Sequence, residues 1–428
     1  MSTIISTNIV SNRSFLANDP MLTDAFGRLR VSEPLTLFDS SHRFSDNGLW
    51  NTFTASGGLA SFNANEGSVD LIVNTTSGSE VIRETKKVFA YQPGKSLLLL
   101  NTFVFAPEQE KLRQRVGYFG TDNGIYFQLE SQPRAVLSFV ERSSVSGSVV
   151  ENQISQQGGF YGPTDTGWNV DKLDGSGPSG IVLDPTKAQI MFTDIEWLGV
   201  GTVRVGFIID GAYIICHKFH HANLISSTYI TTACLPLRYE ITNTGITPVD
   251  STLKQICSSV ISEGGYDLRG EAYSIATGIT APYNMTVAGT YYPLISIRLK
   301  SSNLEGIVIP TGLNCLPITT GTYEWRLIET GTTTGGSWVS AGASSVIEYN
   351  ITGTSFTGGT VVHSGFFNAS NQGTTMSGLD RAGLFDHQLT RNSFTGITNE
   401  LTLCVAANTI GGGGSNILAN MDWEEITR

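Results

Sequence analysis

The sequence predicts an all-β protein: two antiparallel β-sandwich domains of jelly-roll or lectin-like type, behind an extended N-terminal arm. Three observations carry this. Apolar residues recur with period two or in short continuous blocks, as strands require, and no long stretch keeps a helical period. Between the blocks stand Gly, Asn, Asp and Thr, the residues that tight turns need. Charged residues make up only 15% of the 428, well below the usual quarter, and Gly (47), Ser, Thr and Asn replace them. That composition suits many short strands with a hydroxyl-rich surface. Glycine without a three-residue period excludes collagen, and 21 Phe, 14 Tyr and 6 Trp exclude a disordered chain.

Taken in order, residues 1–40 read as the arm. The run Asp24-Ala25-Phe26-Gly27-Arg28-Leu29-Arg30-Val31-Ser32-Glu33-Pro34-Leu35-Thr36-Leu37-Phe38-Asp39 is too charged for a signal peptide. Gly27 and Pro34 break it too often for a long helix. Phe26, Leu29, Val31, Leu35, Leu37 and Phe38 make it too apolar to float free, so with Arg28 and Arg30 it reads as a segment laid against another surface. Residues 41–245 read as the first sandwich. Val69, Leu71 and Val73 alternate, and Lys95–Phe105 is a largely continuous apolar run expected to be buried on both faces. Tyr118-Phe119 and Ile125-Tyr126-Phe127 flank a turn ending in Asn123-Gly124. Asp210-Gly211, between Val203–Ile209 and Ala212–Cys216, is the clearest hairpin signal. Asp184–Gln189 is the one place where a turn of helix is expected. Residues 246–280 read as a linker containing a crossing strand at Leu253–Ile261. Residues 281–428 read as the second sandwich, with strands at Leu294–Leu299, Gly306–Ile309, Tyr323–Ile328, Ser345–Tyr349, Leu401–Ala406 and Asn420–Ile426.

The net charge of −11 argues against direct nucleic-acid binding. The densest basic run, Lys111-Leu112-Arg113-Gln114-Arg115, reads as a solvated patch. Five cysteines (Cys216, Cys234, Cys257, Cys315, Cys404) lack CxxC spacing and read as reduced, buried thiols of a protein made in a cytoplasm. No run approaches the ~18 apolar residues of a membrane span. A soluble protein outside the ordinary secretory route is expected.

Several constellations invite chemistry. Cys216-His217-Lys218-Phe219-His220-His221 gathers three of the six histidines, but a straight strand would send Cys216 and His220 to one face and His217 and His221 to the other. A zinc site needs converging ligands, so solvent-facing imidazoles at a strand end are expected. Asp194 and Glu196 share a strand face, as in the acid-rich strand of jelly-roll glycosidases, yet Leu198-Gly199 interrupts the run before a third acid; an exposed polar face is expected. Asp171-Lys172-Leu173-Asp174-Gly175-Ser176-Gly177 lacks the alternating acids of a calcium loop and reads as a surface turn. No nucleophile elbow, HExxH or P-loop is present, and no catalytic residue, metal or cofactor is assigned. Trp50, Trp168 and Trp338, flanked by polar residues or glycine, are the candidates for stacking on a glycan.

Three segments resemble virion structural proteins of tailed bacteriophages, especially marine ones. They are the run Asp24–Asp39; the block from Trp168-Asn169-Val170-Asp171 through Trp197-Leu198-Gly199-Val200-Gly201 and His220-His221-Ala222-Asn223 to Leu235-Pro236-Leu237-Arg238-Tyr239-Glu240; and the tail Trp423-Glu424-Glu425-Ile426. The resemblance implies a non-enzymatic virion component, made in the bacterial host cytoplasm and present in many copies. Its expected partners are itself, as a trimer or higher ring, and other virion proteins, with no membrane. A head-surface or minor capsid role is expected ahead of a tail, baseplate or fibre role with glycan-receptor binding, and a glycan-degrading jelly roll comes third.

Overall fold

The structure, a computed structural model, describes residues 33–131, 134–265, 270–370, 373–375, 387–391, 399–410 and 412–427. Among them every regular element is a strand, and the chain is an all-β, jelly-roll/lectin-like protein of layered antiparallel sheets.

Residues 34–263 build two large sheets. The first has eight strands, in the spatial order Ala212–Phe219, Val203–Ile209, Gln189–Ile195, Ser96–Val104, Ser251–Glu263, Ser68–Val73 and Leu59–Asn63, with Pro34–Ser41 also pairing with Ser251–Glu263. The second has seven: Val150–Ser155, Ala135–Ser143, Gly124–Ser131, Leu112–Phe119, Leu237–Asn243, Glu80–Thr85 and Trp50–Ala55. Their inner faces meet in one core around Leu99, Phe103, Phe127, Phe139, Trp168, Phe207 and Tyr239, all buried. Phe127 touches Phe105 in a stacked pair and Phe207 edge-on, 5.5 and 5.2 Å between centroids. Such offset and edge geometries add to what area burial alone supplies.

Residues 271–427 build a four-stranded sheet centred on Ser415–Thr427 and a second seven-stranded sheet centred on Tyr292–Leu299, Glu400–Ala407 and Gly321–Thr334. Their core holds Trp325, Leu327, Leu403, Met421 and Trp423. A small cluster of Val88, Ala90, Cys234, Ile307 and Ile309 joins residues from both groups.

Asp210 and Gly211 have φ of +51° and +77°, the left-handed pair that a two-residue hairpin demands, and Ile209 pairs with Ala212. The Lys95–Phe105 run departs from its expectation: Leu97, Leu99 and Phe103 are buried but Leu98, Leu100 and Thr102 only half so, with no layer of described residues on the outer side. Asp184–Gln189 forms a turn, not a helix, with Lys187 N donating to Asp184 O at 3.1 Å.

Two boundaries need correction. The strand Ser251–Glu263, assigned by sequence to a linker, is a central member of the first sheet, pairing on one side with Ser96–Val104 and on the other with Ser68–Val73 and Pro34–Ser41. Its alternating burial from Ser251 to Ile261 is what a half-buried strand shows. The end of the supposed arm is also a strand of this sheet. Phe38 is 8% exposed and packs on Phe89 and Trp50, with Leu37 against the same core. Leu35, opposite Ser262, is half-buried. Phe26, Arg28, Leu29, Arg30 and Val31 lie outside the described residues.

Candidate functional site

The outer face of the eight-stranded sheet carries a group of exposed and half-buried apolar side chains in adjoining rows. Strand register places its side chains in rows. One row runs Ile215, Gly206, Phe192, Leu100, Ser259, Asp39; the next runs Lys218, Arg204, Asp194, Leu98, Ile261, Thr36. Beside them Tyr213 pairs with Ile208 and Ile190 with Thr102. Tyr213 is 55% and Ile190 39% exposed, and Leu98, Leu100, Ile208, Ile215 and Ile261 are half-buried. Gly206 shapes the face: a Cβ there would meet Ile214 O at 2.0 Å and the Phe192 ring at 2.9 Å. Its absence lets Phe192 lie down and meet Tyr213 edge-on, 5.2 Å between centroids. A hollow of about 370 Å³ opens beside these rows, lined by Asp39, Ser41, Leu100, Thr102, Ile190, Cys257 and Ser259 among others. Contiguous exposed apolar surface of this kind marks an interaction site more often than scattered single residues do.

Charge sits at the rim. Asp194 is buried and bonded to Arg204 across the strand pair. Burial pushes its carboxyl above the usual range; Arg204 opposes this, and Glu263 and Glu196 reinforce it. Glu196 and Glu263 are exposed, and Ser96 Oγ donates to Glu263 at 2.8 Å. The expectation of an exposed polar face holds for Glu196 but is corrected for Asp194, which is buried in a row that runs from the polar Lys218 and Arg204 to the apolar Leu98 and Ile261. The hollow's lining includes neither Asp194 nor Glu196.

The outer face of the seven-stranded sheet of residues 50–243 is different. Glu240, with Arg113, Arg115 and Arg238 at 3.3, 3.5 and 2.8 Å, sits at the centre of an ion-pair network. Arg142 and Arg115 reach Glu151 at 2.7 and 3.6 Å, and Arg238 reaches Glu84 at 3.4 Å. Burial alone would raise the Glu240 carboxyl, but Arg238, Arg115 and Arg113 overcome it and hold it at about 2. Glu151 is held at about 2 in the same way by Arg115 and Arg142 against burial. Arg113 and Arg115, read in sequence as a solvated patch, are thus structural: Arg115 is 6% exposed. The cross-strand acid Glu240 that claims them both lies 125 or more positions away, beyond any local pattern.

The remaining sequence candidates separate cleanly. Trp50 and Trp168 are core residues, 5% and 2% exposed, donating from Nε1 to Ser40 Oγ at 2.9 Å and to Ile154 O at 3.2 Å. Neither can stack on a sugar. Trp338 is half-buried with the Arg298 guanidinium 3.9 Å above its ring. A bulge at Cys216 breaks the alternation assumed for the histidine run, since Gly206 pairs with Ile215 but Val205 with His217. Cys216 and His217 are both buried, and burial pushes His217 down to about 4. His221, expected in solvent, is 5% exposed and stacked on Tyr229 at 4.0 Å. Its Nε2 lies 2.8 Å from Glu141 Oε2 and its Nδ1 2.6 Å from Gly201 O. His220 stays exposed.

In the Asp171–Gly177 loop, Asp171 accepts from Leu173 N and Ser179 N at 2.9 and 2.8 Å. Asp174 accepts from Ser176 N, Ser176 Oγ and Gln157 Nε2, and these bonds hold it at about 2. The carboxylates serve the turn itself. Among the described residues no group of three or more His, Cys, Asp or Glu is placed to hold a metal ion. Cys216, Cys234, Cys315 and Cys404 are buried thiols that form no disulfide, and Cys257 is half-buried.

No protein-family model and no curated protein matches the chain. Among solved structures it is similar to the carbohydrate recognition domain of Emp47p (11% identity, 56% of this chain and 99% of that one, TM-score 0.32). It is also similar to a Bacillus licheniformis β-glucanase (11% identity, 52% and 96%, TM-score 0.33). A third is the CBM2 module of the evolved Dit of Lactobacillus casei BL23 phage J-1 (7% identity, 56% and 100%, TM-score 0.35). These likenesses concern the fold alone.

Proposed function

We propose that this chain is a non-enzymatic structural component of a tailed-bacteriophage virion, on the head surface, which works by docking its apolar sheet face against neighbouring subunits. The observation that carries the reading is that face, with Leu98, Leu100, Ile190, Ile208, Tyr213 and Ile261 in adjoining rows and no layer of described residues upon them. The resemblance of the segments around Asp24–Asp39, Trp168–Glu240 and Trp423–Ile426 to phage structural proteins supports it. So do the buried thiols, which form no disulfide and suit synthesis in a reducing cytoplasm. The acids support it as well. A retaining glycosidase needs a proton donor and a nucleophile ~5–5.5 Å apart across a sugar-binding cleft. Here Glu240 and Glu151 are locked as ionised partners of arginines, and Asp194 is tied to Arg204 on an open face.

The test is incorporation. Particles carrying the wild-type chain should contain it at many copies by quantitative mass spectrometry. The double substitution Ile190→Asn with Tyr213→Ser, which alters exposed side chains, should deplete it while the isolated protein keeps its melting temperature. A chain absent from purified particles, or one incorporated equally with the altered face, would overturn the proposal. Icosahedral rather than sixfold or threefold density around it would place it on the head.

A further inference from the structure

Resting on that reading, we infer that the apolar face receives the N-terminal segment of a second copy, with Leu29 and Val31 entering the hollow beside Leu100, Ile190 and Cys257. The arm of each subunit then holds its neighbour's sheet.

The first strand of the sheet argues for this occupant. Pro34 pairs with Glu263 at one end of the sheet, so the chain enters at the rim of this same face. The residues ahead of it include the run Arg28-Leu29-Arg30-Val31, which in extended form presents two aliphatic side chains on one side and two guanidinium groups on the other. The receiving face is complementary: aliphatic rows, with Asp39 exposed at the hollow itself and Glu263 and Glu196 exposed at the far end of the strands. Arg204 is the cation that register places among these rows beside Lys218, and it is already committed to Asp194.

Geometry favours a neighbour's segment over the chain's own. The residue before a proline is biased to extended backbone, which carries the chain onward from the sheet. Ser32-Glu33 offers none of the Gly, Asn or Asp that a two-residue hairpin turn wants. Even such a turn would set Leu29 opposite Thr36. The hollow lies at Asp39–Ser41, three to five residues further along the strand, or ~10–17 Å at the usual rise. A second copy has no such tether.

Cys257 supplies the experiment, since it lines the hollow, the other four cysteines are buried, and residues 1–32 contain none. Full-length Leu29→Cys carrying Cys257→Ser is mixed with full-length wild-type chain bearing a distinguishable C-terminal tag, and treated with a short bis-maleimide. The expected product is a covalent heterodimer containing both tags. Asp39→Lys in the wild-type partner, at the exposed acid that lines the hollow, should lower its yield about fivefold, the scale of a rim charge pair, and Arg30→Glu in the other chain should restore it. Absence of the heterodimer overturns the inference, as does an internally closed monomer from a chain carrying Leu29→Cys with Cys257 retained. Either result leaves virion incorporation standing, whereas failure of incorporation with an intact cross-link would remove the virion reading and keep the exchange.

Discussion

Replacing Glu240 by Gln should cost the protein a sizeable share of its stability, and the cost should vanish in acid. Glu240 is 3% exposed and held by Arg238, Arg115 and Arg113. Its carboxyl falls from 4.5 to about 2 on folding. At ~1.4 kcal/mol for each tenfold change in proton affinity, that difference corresponds to about 3 kcal/mol. The amide leaves some compensation in place: Arg115 keeps Gln128 and Glu151, and Arg238 keeps Glu84. A loss of about 2–3 kcal/mol is therefore expected at pH 7, below the ~3–5 kcal/mol of a fully orphaned buried charge. The folded carboxyl is the stronger acid, so its contribution is complete above pH 4.5 and is lost as pH falls towards 2. Urea unfolding of wild type and Glu240→Gln at pH 7, 4 and 2 measures this. Equal midpoints at pH 7, or a gap that persists at pH 2, would refute the argument.

His221 carries the opposite pH signature. Burial works against its charge, but the Glu141 carboxylate and Gly201 O facing its two nitrogens raise it above 6.5. Its contribution is thus present below pH 6.5 and fades as pH rises past the folded value, so the melting-temperature gap between wild type and His221→Phe should narrow from about pH 6 to about pH 9. Trp168→Ala should cost about 3–5 kcal/mol in denaturant titration, as large core truncations do, without altering retention on any glycan column. Gly206→Val should abolish soluble folding or lower the melting temperature by more than ~5 °C, because its Cβ would stand 2.0 Å from Ile214 O; an unchanged melting curve would show that the strand pair relaxes freely.

Most of the strands were legible because their signals are local. Asp210-Gly211 announces its own turn, and Leu294–Leu299 or Leu401–Ala406 cannot be mistaken for helix. What escaped was everything decided by distant partners. Leu253–Ile261 has the same apolar alternation whether it bridges two domains or fills the centre of a sheet; only its pairing with Ser96–Val104 and Ser68–Val73 tells. Trp50 looked exposed among Leu49, Asn51 and Thr52, yet Phe38 and Tyr239 close over it from 12 and 189 positions away. The half-buried outer side of Leu98 and Leu100 was hidden for a related reason: both belong to a largely continuous apolar run, and sequence cannot say which side of such a run lacks a cover. One clue was available in Gly206, a glycine inside a strong strand, which often marks a close approach.

The strand Ser251–Glu263 also sets an order of events during synthesis. It is the last segment of the first sandwich to leave the ribosome, yet it must insert between Ser96–Val104 and strands made some two hundred residues earlier. At ~5–20 residues per second, the earlier hairpins wait about ten seconds or more with an unfilled seam at their centre. Pro34–Ser41, whose backbone partner is that same late strand, has no strand to pair with until it arrives. A fragment stopped at residue 245 therefore lacks its keystone, and the strand Pro34–Ser41 waits unpaired through more than half of translation.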